Sequence, residues 1–327
     1  SSPGALGGTM TIGIVAFGPN AGAGILAGLH TVETNGRGAI GGFVSLAALT
    51  KNGRLLRASI QDGGSQKLFG TGLPAEIAQA QLVGLISSGP NRPEPLSEFI
   101  AAEPGVGIVT GHRMPQTRVD HGIALNAMVL AAMKAGAHPQ VAVDQVIALY
   151  PETDAGFLAC STDGCLGSGS TQSVLARGDQ AVGVLESTSV AARVASIHNA
   201  ISPSNLIASL TNQVALDAML RPDTPVGWVK VVSGITLEQG TEAQIHIGLD
   251  GNAERIFVRT GQFLTGSWSV GLGDRVAVMS NGQRIGWLGY EPFMTVKDGQ
   301  VRDIDGHIEI SIPLLSSLPF ERYRDVS

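Results

Sequence analysis

The sequence predicts a mixed α/β (α+β) fold with a β-rich C-terminal part. Three observations predict it. Short apolar runs bounded by Gly, Pro and Asn alternate with stretches of helical spacing over the first two thirds of the chain. Two pairs of those runs flank Asn52-Gly53 and Asp163-Gly164, dipeptides that tolerate the positive φ of a tight hairpin turn. From Trp228 onward strand-like runs follow one another, with Asp250-Gly251 and Asn281-Gly282 as turns.

At roughly 150 residues per domain, the 327 residues make about two domains. Residues 1–9 carry neither the charged region nor the apolar region of a signal peptide. They read as a disordered leader or an expression remnant before a natural start at Met10. Residues 10–221 read as the core domain. Residues 222–327 read as a β-rich extension or small subdomain, with a soft boundary at Arg221-Pro222-Asp223-Thr224-Pro225.

Hydrophobic residues make up 43% of the chain and charged residues 15%, yet no apolar run reaches the roughly 18–20 residues of a membrane span. The positive mean hydropathy of +0.21 then points to extensive burial and to a homo-oligomer interface. Aromatics are only 5%, so the core is built from small and branched aliphatics. The net charge is −6 without a Lys/Arg cluster, which argues against a nucleic-acid partner. The two cysteines, Cys160 and Cys165, form no disulfide framework and match no four-ligand zinc pattern. A reducing, cytoplasmic compartment follows, with no cofactor and no metal expected.

The elements follow in order. Residues 11–17 read as a buried strand closed by Gly18-Pro19-Asn20, and residues 21–35 as a helix with Ile25, Leu26, Leu29 and Val32 on one face. Asn35-Gly36 ends it. Residues 42–49 and 54–60 form the first hairpin. Residues 74–88 read as a helix, 106–109 as a strand and 119–136 as a second helix. A third helix, 139–149, carries Pro139 in its first turn, where the missing N–H costs nothing. Residues 155–160 and 165–168 form the second hairpin. A strand at 181–186 precedes an Ala/Asn/Ser-rich helical stretch to Met219. Residues 242–249, 255–260 and 275–279 read as strands.

A helix, then Gly136-Ala137-His138-Pro139, a helix containing Ala142-Val143-Asp144, the strand Asp154-Ala155-Gly156-Phe157-Leu158-Ala159 and the turn Asp163-Gly164 together resemble the late segment of the isoaspartyl-peptidase/plant-type asparaginase family. Gly42-Phe43-Val44-Ser45-Leu46, Asn52-Gly53 and Asp62-Gly63-Gly64 are similar to that family's first hairpin, which ends in a Gly-Gly loop beside the nucleophile. Residues 22–36 are similar to the first helix of γ-glutamyltransferase relatives. The resemblance covers about half the chain. It implies a four-layer αββα sandwich of the N-terminal-nucleophile (Ntn) hydrolase type. Those families open the first hairpin with a nucleophilic Thr, whereas this chain has Gly38-Ala39-Ile40-Gly41-Gly42 there. Met10-Thr11-Ile12-Gly13-Ile14 instead resembles Ntn-type proteins that begin Met-Thr and lose Met. Thr11 would then supply the nucleophile and, through its own amine, the base. Alternatively, Thr11 is a β-branched residue opening a strand.

Other chemistry is local. His112 and Arg113 follow a strand, a usual position for functional residues. His112 could serve as a general base, and Arg113 could clamp a carboxylate. Asp62-Gly63-Gly64 could offer backbone N–H groups to an oxyanion. Cys160 lies in a strand with no local base, which favours an inert thiol. His198-Asn199 and Ser202-Pro203-Ser204-Asn205 form a polar run before a helix, with Ser202 or Ser204 read as its cap. Gly18 to Gly24 lacks the full spacing of a nucleotide-binding loop.

The function expected is an Ntn-type amidohydrolase acting on a small amide or amino-acid derivative, with Thr11 attacking and Asp62, Gly63, Gly64, His112 and Arg113 shaping the substrate pocket. The alternative is a catalytically silent Ntn-like scaffold that binds a small metabolite or assembles as an oligomer. A third reading is a hydrolase that uses Cys160 or His112 without a terminal nucleophile.

Overall fold

The computed structural model describes residues 11–220, 225–317 and 323–325. The expected leader at 1–9, Met10, and residues 221–224 of the expected boundary lie outside the described residues. The chain is a mixed α+β protein, 25% helix and 41% strand, so both element types build it and strands predominate. It divides into two compact units. The first runs to Leu220 and takes in Tyr323–Asp325. The second occupies the residues between.

The first unit opens with β1 (Thr11–Phe17) and α1 (Ala21–Asn35), then the hairpin β2 (Val44–Leu49) and β3 (Leu55–Ile60). Two short helices, α2 (Gly64–Leu68) and α3 (Ala75–Ala78), lead to β4 (Leu82–Ser88), β5 (Ala101–Glu103) and β6 (Gly107–Arg113). A two-residue-per-arm hairpin, β7 (Arg118–Val119) and β8 (Ile123–Ala124), precedes α4 (Leu125–Lys134) and α5 (Pro139–Leu149). The second hairpin, β9 (Ala155–Ser161) and β10 (Leu166–Ser170), is followed by α6 (Gln172–Leu175), β11 (Gln180–Ser187), β12 (Arg193–Asn199) and α7 (Ser204–Leu220).

The second unit is built from β13 (Gly227–Val232), β14 (Leu237–Gln239), β15 (Gln244–Ile247), β16 (Ala253–Val258), β17 (Ser267–Gly271), β18 (Ala277–Ser280), β19 (Gln283–Leu288), β20 (Phe293–Lys297), β21 (Gln300–Ile304) and β22 (Glu309–Leu315). Its sheets have the orders β13-β22-β19-β18-β15-β16-β14 and β17-β20-β21, around a core that includes Val229, Ile245, Ile256, Val278 and Ile312. The chain then returns to the first unit as β23 (Tyr323–Asp325), paired with β11.

Two antiparallel sheets form the first unit, in the orders β23-β11-β12-β1-β4-β2-β3 and β10-β9-β6-β5. Strand β1 is buried along its whole length, and its alternating side chains enter two different cores. Ile12, Ile14 and Ala16 pack with Ile25, Leu29 and Val32 of α1 and with Ile207, Ala215 and Leu216 of α7. Val15 and Phe17 share a core with Ile86 of β4, Ile197 of β12, Ile108 of β6 and Leu158 of β9. On the far face of the smaller sheet, Val109, Phe157 and Ala159 meet Leu125 and Val129 of α4 and Ala142, Val143 and Val146 of α5. The seven-stranded sheet thus has helices on one face and the four-stranded sheet on the other.

The sheets come into close backbone contact at Gly13. A Cβ there would lie 2.3 Å from the carbonyl oxygen of Gly111 on β6, so only glycine lets the two backbones approach.

Four expected elements differ. The helix expected at 119–136 begins only at Leu125, because residues 118–124 form the short hairpin β7–β8. Residues 74–88 are not one helix: four residues are helical in α3, and Leu82–Ser88 is strand β4. Leu82-Val83-Gly84-Leu85-Ile86 is buried on both faces, so it lacks the alternation that marks a half-buried strand. The stretch expected as helix before Met219 likewise holds strand β12 ahead of α7. The strand expected at 106–109 continues to Arg113, which puts His112 and Arg113 at a strand end and not in a loop. No helix among the described residues is long and apolar enough to cross a membrane.

Candidate functional site

Three strands of the larger sheet end at the same level. Thr11 opens β1, opposite Asn199 at the end of β12 and Ser88 at the end of β4. All three are buried; Thr11 is 2% exposed and the others 0%. Strand alternation puts Thr11 on the face of Gly13, Val15 and Phe17, the face that meets the smaller sheet. Across from them, β6 ends in His112 and Arg113, and β10 ends in Ser170.

His112 bridges the two sheets. Its Nδ1 is 3.2 Å from Asn199 Oδ1 and its Nε2 is 3.0 Å from Ser170 Oγ. Asn199 presents an acceptor oxygen, so Nδ1 carries the proton and Nε2 accepts from the Ser170 hydroxyl. Burial pushes the imidazole pKa down to about 4. The Asn199 hydrogen bond opposes that shift, the nearby His198 and Arg113 charges reinforce it, and Asp154 opposes it. The ring is therefore neutral at pH 7 and has a lone pair directed at a hydroxyl. Its in-register partner on β9 is Gly156, where a Cβ would come within 2.1 Å of Nε2. Glycine at 156 is what leaves room for the imidazole.

Two guanidinium groups flank this cluster. Arg113, at φ 64°, donates from Nε to Asp154 Oδ1 at 2.7 Å and from Nη2 to Oδ2 at 2.6 Å, a bidentate pair. Arg113 is 6% exposed and Asp154 42%, so one partner is screened by solvent while the other is enclosed. Arg92 donates from Nη2 to Ser88 Oγ. Its backbone is pinned by Gln61, which accepts the Arg92 N–H at 2.9 Å and donates to the Arg92 carbonyl at 2.7 Å. Burial, and then the neighbouring Arg113 charge, lower the Arg92 pKa from its ordinary value.

The expected site residues thus divide. Thr11, His112 and Arg113 belong to the same end of the two-sheet core. Asp62, Gly63 and Gly64 do not join them. They follow β3, three strands from β1, or about 14 Å at the usual strand spacing. Gly64 N–H is engaged by Gly42 O at 2.9 Å, and the next amide, Ser65 N–H, donates to the Glu33 carboxylate at 2.9 Å. The loop is linked to the cluster indirectly, through Gln61 and Arg92 and through Gly42, whose N–H donates to Ser88 O at 3.0 Å.

Ser88, Arg92, Asp154 and Ser170 carry no functional expectation from the sequence, and Asn199 stands there only as part of a polar run before a helix. Ser88 was hidden in an expected helix. The one usable signal was a serine closing each of two apolar strands at a sheet end. His198 faces the other way, with Nε2 donating to Ser204 O at 3.0 Å and tying β12 to α7.

Cys160 lies in the inter-sheet core, where burial raises its thiol pKa far above the ordinary range, so it is unsuited to nucleophilic attack. Cys165 is partly exposed, with Sγ 3.7 Å from Asp163 Oδ2. Among the described residues, no group of three or more His, Cys, Asp or Glu side chains is placed to hold a metal. The second unit has a cavity of about 220 Å³ with Arg259, Asp274, Arg275 and Glu291 in its wall and no histidine or cysteine.

The first unit is thus defined as an α+β protein with a buried hydroxyl, imidazole and guanidinium cluster where its two sheets end. The chain belongs to the family described as Domain of unknown function (DUF6963), which it matches over residues 11–228. Residues 234–309 match a second family, described as Domain of unknown function (DUF7259). No curated protein matches the chain.

Proposed function

We propose that the chain is an Ntn-type amidohydrolase whose nucleophile is Thr11, acting on a small amide or amino-acid derivative. The observation that carries this reading is the position of Thr11 at the start of the central strand β1, on the face toward the second sheet, beside Ser88 and Asn199 and at the same end as His112 and Arg113. The layer order of helices, seven-stranded sheet, four-stranded sheet and helices supports the same reading.

With Thr11 as the first residue, its α-amine takes the proton from Oγ1 as that oxygen attacks the amide carbon. The same proton passes to the leaving amine, and water then cleaves the resulting ester. Arg92 and Arg113 put positive charge beside the reacting centre, where negative charge develops.

In the test, protein beginning at Thr11 is assayed against a panel of amino-acid p-nitroanilides and small primary amides. Turnover above that of protein with the residues before Thr11 retained is expected, with this increment lost in Thr11→Ala while the circular dichroism spectrum is unchanged. An increment retained in Thr11→Ala would exclude Thr11 as the nucleophile. A second reading, a catalytically silent scaffold that binds a small metabolite, draws on the 2% exposure of Thr11. It expects binding of a panel member without turnover.

A further inference from the structure

We propose that Ser170 is a second acyl-accepting hydroxyl at this end of the sheets, activated by His112 and oriented by Asn199, and that it reacts with small esters and activated acyl donors without any free terminal amine. This inference goes beyond the Thr11 reading and does not depend on release of Thr11.

The geometry is that of a hydroxyl, an imidazole and an orienting amide in hydrogen-bonded series. Ser170 Oγ is 3.0 Å from His112 Nε2, and His112 Nδ1 is 3.2 Å from Asn199 Oδ1. Both distances are within the reach expected of a nucleophile and its base. The amide oxygen fixes the tautomer, so the basic nitrogen points at the serine. An imidazole kept neutral by burial is in the protonation state a general base requires.

The parts come from three strands that meet only in the fold: β10 supplies the serine, β6 the base and β12 the amide. Ser170 is also held rigidly. Thr171 N–H donates to Ala155 O at 3.0 Å, and Ser173 N–H donates to Pro151 O at 3.1 Å, which pins the end of β10 to the segment before β9. Ser170 is 7% exposed, and the neighbouring Asp154 is 42% exposed, so the cluster reaches solvent on that side.

The step balances without an added cofactor. Ser170 Oγ forms a bond to the acyl carbon while its proton moves to His112 Nε2. The bond to the leaving alkoxide or amine breaks, and that group takes the proton from Nε2. Water then attacks the serine ester, gives one proton to Nε2 and releases the acid, and the proton returns to Ser170 Oγ.

The test uses the full chain with the residues before Thr11 retained, so no Thr11 amine is available. The protein is treated with a small alkyl fluorophosphonate and, separately, with p-nitrophenyl acetate, and the adducts are mapped by peptide mass spectrometry. A phosphonyl adduct on Ser170 is expected, absent in Ser170→Ala. In His112→Gln the labelling rate falls by about a hundredfold or more, the usual contribution of a general base. Mapping of the wild-type protein decides the matter even if a variant fails to fold: no adduct, or an adduct only at other residues, overturns the inference. The Thr11 reading stands or falls separately, on the amide turnover that protein beginning at Thr11 shows over protein with the preceding residues retained.

Discussion

Gly13→Ala lowers the thermal midpoint of the first unit by roughly 6–12 °C, corresponding to a loss of about 3 kcal/mol in a domain of this size. The cause is geometric. A Cβ at position 13 would lie 2.3 Å from Gly111 O, 2.8 Å from Gly111 C and 3.0 Å from Gly111 Cα. Those atoms are backbone of the opposing sheet, so no side chain can rotate away. Relief requires the sheets to part along β1 and β6, and the core of Val15, Phe17, Ile108 and Leu158 loosens with them. Gly70→Ala is the matched control, because a Cβ there meets nothing within 4 Å; its midpoint stays within about 2 °C of wild type. Differential scanning calorimetry of the two variants decides. Equal midpoints would mean that the sheets do not meet at Gly13.

The second large effect is acid lability set by His112. Its folded pKa is about 4, against an ordinary value of 6.5. Between those values the unfolded chain binds a proton that the folded chain refuses, so stability rises with pH across this window. Stability from the neutral ring is complete above about pH 6.5. It falls by about 1.4 kcal/mol per pH unit on acidification, reaching a loss of about 3 kcal/mol near pH 4. The groups around the ring are Asn199, Ser170, His198, Arg113 and Asp154. Burial lowers the His198 pKa as well, so its contribution has the same sign. Urea unfolding at pH 7 and pH 4.5 should therefore lose more stability on acidification in wild type than in His112→Gln, whose side chain does not titrate. The same loss in both proteins would show that His112 is not the buried neutral group described.

Much of the fold was legible because its elements carry local signals. Asn52-Gly53 and Asp163-Gly164 set the hairpins. Pro139 set the start of α5, and its His138 cap, with Nδ1 accepting Gln140 N–H at 3.2 Å, completes that end. Strand β1 and helix α1 were bounded by Gly18-Pro19-Asn20 and Asn35-Gly36. Strand β4 was not legible, because a run buried on both faces shows neither strand nor helix period. Strand β12 is also buried at all positions but its first.

The candidate site was legible only in part, for a related reason. His112 and Arg113 stand together at a strand end, a signal a sequence can carry. Ser88, Ser170 and Asn199 lie far apart in the chain, and only antiparallel pairing and the stacking of two sheets bring their ends together. The Asp62-Gly63-Gly64 turn has the composition of an anion cradle, but Gly42 O takes the Gly64 amide proton and Glu33 takes that of the following Ser65. No local pattern could have revealed those long-range partners.

The most direct test of the Thr11 mechanism is the intact mass and N-terminal sequence of protein expressed from Met10. The account predicts a chain that begins at Thr11, with a free amine next to its own hydroxyl. A chain that keeps Met10, with no internal cleavage product, would contradict it.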